Sequence, residues 1–217
     1  AARLDKAVLC EKPMEATVER AERLVETCES AGVPLMIAYR MHTEPAVQRA
    51  RELISDGFLG EPVSVYGHNS QPLLEMIPDP DQWRLDPDRT GYGTSVMDLG
   101  IYPLNTARFI LDSDPVSVQS MMASSHDAFD AVPDEIATFA VEFDDETYAS
   151  CTSSQNAHDE TRLEIVGTDG RLVLEPAFHM RTSLTVEQGG TTVDITTEQV
   201  DQMEVEFTYF ANQVLGG

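Results

Sequence analysis

Apolar residues fall along this chain in two rhythms. In the first sixty positions, short apolar runs alternate with helix-spaced stretches. Ala7-Val8-Leu9-Cys10 fits a buried strand. Thr17 then caps a predicted helix to about Ala31, with Val18, Ala21, Leu24, Val25 and Cys28 on one face and Gly32 as its stop. Leu35-Met36-Ile37-Ala38 is a second buried strand, ending at Tyr39-Arg40. Strand, helix and strand within about thirty residues form a βαβ unit with a right-handed crossover. Pro45 opens another helix, Gly57 closes it, and Gly60-Glu61-Pro62 is a turn.

From Val63 the rhythm changes. A strand begins there and is expected to end at His68-Asn69-Ser70. Residues 71–93 read as a long irregular insert with Pro72, Pro78, Pro80 and Pro87, and such loops in compact domains are usually functional. This one carries the only tryptophan, in Trp83-Arg84, a pair that lines a pocket or pins the loop. Helical spacing returns from Thr94 to Leu111, with Pro103 expected to kink or restart the helix. After Asp112 the period is two. Strands are predicted near 115–123, 135–143, 146–154, 161–167, 171–175, 181–188 and 191–196. Asp144-Asp145, Thr168-Asp169-Gly170 and Gly189-Gly190 supply hairpin turns. A last helix, Val200 to Leu215, offers Met203, Phe207, Phe210 and Val214 to one sheet face.

The fold class is therefore α/β joined to α+β: a partial Rossmann βαβ unit followed by an open, mainly antiparallel sheet with packed helices. The expected division is 1–58, the end of a dinucleotide-binding domain, and 59–217, a substrate and dimerisation domain. Two strands stand where a doubly wound domain has about six, and no G-x-G-x-x-G follows a first strand. The chain thus reads as a fragment that starts in the middle of a Rossmann domain, expected to bind dinucleotide weakly or not at all by itself.

Composition narrows this picture. A hydrophobic content of 41% suits a globular fold. No stretch is long and apolar enough for a transmembrane helix, and the first residues lack a secretory layout, so a cytoplasmic location is expected. Asp plus Glu number 38 against 14 Lys plus Arg, a net charge of −24, and the acids are spread along the whole chain. Molar salt shortens the Debye length to roughly 3 Å, where such a surface stops repelling itself, so a salt-adapted protein is expected. There is no basic patch to engage nucleic acid. Cys10, Cys28 and Cys151 read as free, mostly buried thiols. The five histidines lack short-spaced partners, so no metal site is expected.

Candidate chemistry gathers at two places. Asp98 and Tyr102 are four apart and share a face of a continuous helix. They are a proton-transfer pair, or a buried tyrosine satisfied by an aspartate. Lys12 follows the first strand, at the carboxyl end where open α/β sheets gather their functional groups, or is a solvated charge. The Lys12–Pro13 bond is a candidate cis peptide.

Together, Glu11-Lys12-Pro13 after an apolar strand, Trp83-Arg84, the glycine turn at 91–93, Asp98-Leu99-Gly100-Ile101-Tyr102-Pro103 and the G-T-x-G turn at Gly167–Gly170 resemble the glucose–fructose oxidoreductase/inositol dehydrogenase (Gfo/Idh/MocA) family. The Glu11–Met14 and Asp79–Arg84 stretches are most similar to its sugar dehydrogenases from salt-loving archaea. The resemblance implies an NADP (or NAD) cofactor and oxidation of an aldose such as D-xylose at C1 to the lactone. It also implies a homo-oligomer paired through the open sheet. It implies catalytic roles for Lys12, Asp98 and Tyr102: Tyr102 takes the hydroxyl proton, Lys12 favours the phenolate, and Asp98 orients the sugar or the lysine. It places Glu11, Lys12, Pro13, Arg40, Trp83 and Arg84 at the cofactor, and Trp83, Asp98, Tyr102 and Asn105 at the substrate. Tyr92 interrupts what is usually an all-glycine turn and is expected to reshape the pocket mouth. Another polyol or a dihydrodiol as substrate, or a non-catalytic binding or dimerisation domain, are the alternatives.

Overall fold

The computed structural model describes residues 1–91 and 93–216; the expectation for Tyr92 lies outside them. Two short strands, β1 (Val8–Glu11) and β2 (Leu35–Ala38), pair in parallel with Val8 opposite Leu35. The helix α1 (Val18–Ala31) joins them. Its N-terminus is capped by the Thr17 hydroxyl, which accepts from the Arg20 amide, and Gly32 closes it at φ 64°. The expectation of buried strands is corrected. The pair forms a sheet of two, and apart from buried Ala38 its residues are half-buried or exposed, because no second layer covers both of its sides. Val18, expected on the packed face of α1, is 58% exposed; Cys28 is that helix's one buried residue.

A short 3-10 turn, Arg40–Thr43, leads into α2 (Pro45–Ser55). The remaining strands make one sheet: β3 (Pro62–Pro72), β4 (Pro115–Ala123), β5 (Ile136–Phe143), β6 (Tyr148–Ser154), β7 (Asn156–Gly167), β8 (Gly170–Leu174), β9 (Leu184–Gln188) and β10 (Thr191–Ile195). Their spatial order is β10-β9-β8-β7-β3-β6-β5-β4. Every neighbouring pair is antiparallel except β3 with β6. The expected fold class is borne out, and the strand boundaries move by a few residues. β3 runs on to Pro72, past the expected stop at Ser70, because β7 begins early, at Asn156, and pairs with it there. The insert is more ordered than expected. It holds α3 (Leu73–Met76), a 3-10 turn at Trp83–Leu85 and α4 (Pro87–Thr90), and its Leu73 and Leu85 share a small second core with Phe129 and Val132.

One sheet face is packed. Val65, Phe139, Val141, Ala149, Leu163 and Ile165 meet Ala46, Val47 and Ala50 of α2, and Ala107 and Ile110 of α5 (Ile101–Leu111). Strict alternation along β5 sends one set of side chains to this core and the other to solvent. Each large side chain buried here contributes about 1.5–3 kcal/mol.

The Thr94–Leu111 helix forms, and Pro103 does not break it. The turn Val96–Gly100 is π-helical and leads straight into α5. Proline has no amide to offer the Leu99 carbonyl. That carbonyl instead accepts from Asn69 Nδ2 at 3.0 Å.

The closing helix, α6 (Gln202–Gly216), corrects the sequence reading most sharply. Met203, Phe207 and Val214 are 37%, 57% and 38% exposed, and its buried residues are Gln202 and Glu206. Polar anchoring decides its face. Gln202 donates to Glu44 and to the His179 carbonyl, and accepts from Arg40.

Gly67 of β3 sits beneath α5, where a Cβ would lie 2.5 Å from Pro103 Cβ and 2.9 Å from Cys151 Sγ. Both neighbours are packed, so Gly67→Ala is expected to destabilise the fold by about 1–3 kcal/mol, read as a lower urea midpoint. An unchanged midpoint would show that α5 can lift off the sheet without cost.

Candidate active site

The candidate residues meet where β1 ends against the π turn. The Lys12 ammonium donates to the Asp98 carbonyl at 2.7 Å and to Asp98 Oδ1 at 3.3 Å. The Lys12 and Asp98 side chains are only 13% and 12% exposed. The same nitrogen lies 4.5 Å from the centroid of the Tyr102 ring. Lys12 thus bridges the aspartate and the tyrosine, which the helix spacing alone had set side by side. The Lys12–Pro13 peptide is cis. Glu11 is exposed and accepts from the Lys12 amide at 3.2 Å.

Asp98 has a second cation. Arg84 Nε donates to Oδ2 at 2.7 Å, and Gln155 Nε2 reaches the same oxygen at 3.1 Å. Burial disfavours the charged carboxylate. The charges of Lys12 and Arg84 and the bonds from Arg84 and Gln155 outweigh it, and the Asp98 carboxyl titrates below its ordinary range. The Arg84 guanidinium also lies 4.4 Å over the Trp83 ring, so one arginine ties the insert to the helix. Gly91 brings the insert against the residues after Pro13. Its φ is 69°, and a Cβ there would fall 2.0 Å from the Ala16 carbonyl oxygen, so only glycine fits. A small cleft beside Asp98 is lined by Pro13, Trp83, Thr90, Thr94 and Met97. A larger, apolar groove lies elsewhere, between Leu104 and Val116, Val118 and Met122 of the edge strand.

Arg40 approaches Tyr102 from another side, with its guanidinium carbon 5.3 Å from the ring centroid. It donates to the Phe178 and His179 carbonyls and to Gln202. Tyr102 is therefore flanked by two cations and by the rings of Tyr39 and Phe178. Asn105 is not among them. Its Nδ2 lies 3.4 Å from His42 Nε2, and His42 stacks on Phe109. Burial and then the charges of Arg108 and Arg51 pull the His42 imidazole down to about 4, so it is neutral at pH 7.

Three supporting residues escaped the sequence reading. The Tyr39 hydroxyl donates to the Tyr102 carbonyl and shares a 2.8 Å contact with Thr106 Oγ1. Having spent its one proton, it accepts from Thr106, and burial holds it protonated. Asp134, fully buried, accepts from the Thr94 amide at 2.5 Å and the Val96 amide at 2.7 Å. It caps the π turn from forty residues away, where local capping rules do not look. Gln155 sits between β6 and β7 with no signal around it in the sequence.

A two-stranded parallel unit, an open eight-stranded sheet packed on one face, and a lysine–aspartate–tyrosine cluster between them define a mixed α/β and α+β fold. Family comparison agrees. Residues 1–39 match the model described as "Oxidoreductase family, NAD-binding Rossmann fold". Residues 47–173 match that of the GFO/IDH/MocA C-terminal domain. This chain belongs to the GFO/IDH/MocA family. It is 56% identical to D-xylose 1-dehydrogenase [NADP(+)] of Haloarcula marismortui, over 99% of this chain and 60% of that protein. It is 34% identical to D-xylose 1-dehydrogenase (NADP(+)) 2 of Haloferax volcanii, over 97% of this chain and 63% of that one. The crystal structure of aldose-aldose oxidoreductase from Caulobacter crescentus, complexed with glycerol, superposes with a TM-score of 0.92 at 30% identity, over 100% of this chain and 64% of that one. The chain thus spans about three fifths of the length of the curated relatives it matches.

Asp98→Asn leaves Lys12 and Arg84 without their shared anion and is expected to cost about 3 kcal/mol at pH 7 by urea unfolding. The folded-state carboxyl titrates below its unfolded value of about 3.9. Its stabilisation is therefore present above that pH and is lost as pH falls through the folded value. The gap between parent and variant should narrow as pH falls below the unfolded value and close once the folded carboxyl is protonated; a gap that persists in the protonated state would place the loss in packing.

Proposed function

We propose that this chain provides the nicotinamide-proximal and sugar-binding parts of an NADP-dependent dehydrogenase that oxidises an aldose such as D-xylose at C1 to the lactone. The observation that carries the reading is the Lys12 ammonium, hydrogen-bonded to Asp98 and lying over the Tyr102 ring. In support, the two relatives named above are D-xylose 1-dehydrogenases that carry NADP(+) in their names. In this reading residues 1–58 belong to the dinucleotide-binding part and 59–217 to the substrate-binding part, with α2 of the first packed into the core of the second.

The donor set suits a nicotinamide and a sugar. Lys12 spends two of its three N–H groups on Asp98 and has one for a hydroxyl or a carboxamide. Glu11, Lys12, Pro13 and Arg40 stand at the carboxyl ends of the parallel pair, Trp83 lines the cleft beside Asp98, and Arg84 is paired with Asp98 itself. These are the residues that would hold the nicotinamide end. When bound, the nicotinamide supplies the hydride acceptor. Tyr102 takes the proton of the C1 hydroxyl. Lys12 and Arg40 face its ring, where their charges stabilise the anion that develops. Asp98 holds Lys12 in place and, with Trp83, borders the sugar; Asn105, turned to His42, takes no part in this reading.

The surroundings fit a protein of the cytoplasm of a salt-loving cell. The net charge of −24 calls for screening, and among the described residues no helix is long and apolar enough to cross a membrane. Pairing of two copies through the open sheet face is part of the same reading; Tyr66, Met121, Ile136 and Tyr148 are exposed on it.

The test is NADP reduction by D-xylose in molar KCl, with the protein expressed from its intact gene beside its Tyr102→Phe variant. The variant should lose about 100-fold or more in kcat. Survival of activity would return Tyr102 to a packing role, and inactivity of the parent would dismiss D-xylose. The melting temperature should rise from dilute buffer to molar KCl, as the Debye length shortens from about 10 Å to 3 Å. A flat or falling curve would dismiss the salt adaptation.

A further inference from the structure

Gln155 is fully buried where β6 hands over to β7. Its Nε2 lies 3.1 Å from Asp98 Oδ2, 3.3 Å from the Thr94 carbonyl and 3.4 Å from Thr94 Oγ1. Its Oε1 accepts from Gln71 Nε2 at 2.7 Å. A glutamine amide has one acceptor end and one donor end. With Gln71 donating to the oxygen, the N–H end must face Asp98; the reverse orientation would set two acceptors against each other. Oδ2 of Asp98 thus receives both Arg84 and Gln155, and Oδ1 stays with Lys12.

We propose that Gln155 is a positioning residue, whose amide, held the right way round by Gln71, fixes the rotation of the Asp98 carboxylate and through it the place of the Lys12 ammonium against Tyr102. This rests on the catalytic reading of Lys12 and Tyr102 given above. Arg84 alone does not do the same work. It rides on the insert and is 22% exposed, whereas Gln155 is fixed between two strands of the sheet. A carboxylate held only by Arg84 and Lys12 is free to turn toward either cation. Each such turn moves the ammonium relative to the phenol, and displacements near 1 Å are worth about 100-fold in rate.

Two variants test this in the protein expressed from its intact gene, with sugar oxidation and thermal melting as readouts. Gln155→Leu removes the donor and should lower kcat about 100-fold with KM little changed. Gln155→Glu keeps the shape and adds a titration. Protonated, its carboxyl donates to Asp98 and restores the contact. Ionised, it repels Asp98. Its kcat should therefore fall as pH rises across a range where the parent's rises, and lowering the pH should rescue it. A Gln155 that serves packing alone would lower the melting temperature of either variant and leave the shape of the pH profile as in the parent; that result overturns the proposal, and it does so on Gln155→Glu even if Gln155→Leu does not fold. Lys12→Met and Tyr102→Phe separate the two readings. If both collapse while the Gln155 variants behave as the parent, Gln155 is not a positioning residue. If both stay active, the catalytic reading fails and the inference falls with it.

Discussion

Everything near the candidate site depends on one buried carboxylate. Asp98 gathers Lys12 from the end of β1, Arg84 from the insert and Gln155 from the sheet, segments that share no local structure. The two cations and the amide together outweigh the burial cost. Removing the shared carboxylate leaves Lys12, Arg84 and Gln155 without their common acceptor, a cost of about 3–5 kcal/mol. The arrangement is therefore cooperative: insert, helix and parallel unit are aligned by the same group that the proposed chemistry uses.

Around that centre the helix is placed by exceptions to helical regularity. Pro103 leaves the Leu99 carbonyl to Asn69, the π turn widens the backbone just ahead of it, and Asp134 ties down the amides of Thr94 and Val96. Single-turn π segments are frequent at functional sites because they re-aim side chains without ending the helix. Gly67 lets the proline ring settle on β3, so the same residue that disturbs the helix also packs it. With Tyr39 holding the Tyr102 carbonyl, the turn bearing Asp98 and Tyr102 is fixed from both ends.

The scarcity of positive charge gives each cation weight. Lys12 is one of only two lysines, and Arg40 bonds three separate groups. Arg162 and Arg171 share Glu164 and reach Glu175 and Glu187, lacing the half of the sheet that carries β7 to β9. The acidic excess is a property of the surface, while the few buried ion pairs stand where segments distant in sequence are joined. Screening by salt should therefore act on the surplus carboxylates and much less on the Asp98 cluster, which water hardly reaches.

The sequence by itself determined the element order, the fold class and which residues are the candidates for chemistry. Period-two alternation reports which side of a strand meets the core, and turn residues mark where strands reverse, so the strands after residue 112 were legible, with starts that shift by up to five residues, as at Asn156. The Lys12, Asp98 and Tyr102 motifs were legible as types and spacings. What only the tertiary structure decided is how they meet: Lys12 lies between the other two, and Gln155 and Asp134 supply hydrogen bonds from loops that no local pattern distinguishes. The same holds for α6, whose apolar spacing pointed Phe207 at the sheet while Gln202 and Glu206 turned inward. Periodicity records average burial along an element. A buried polar group is placed by partners far away in the chain, and its energy depends on all of them being present at once.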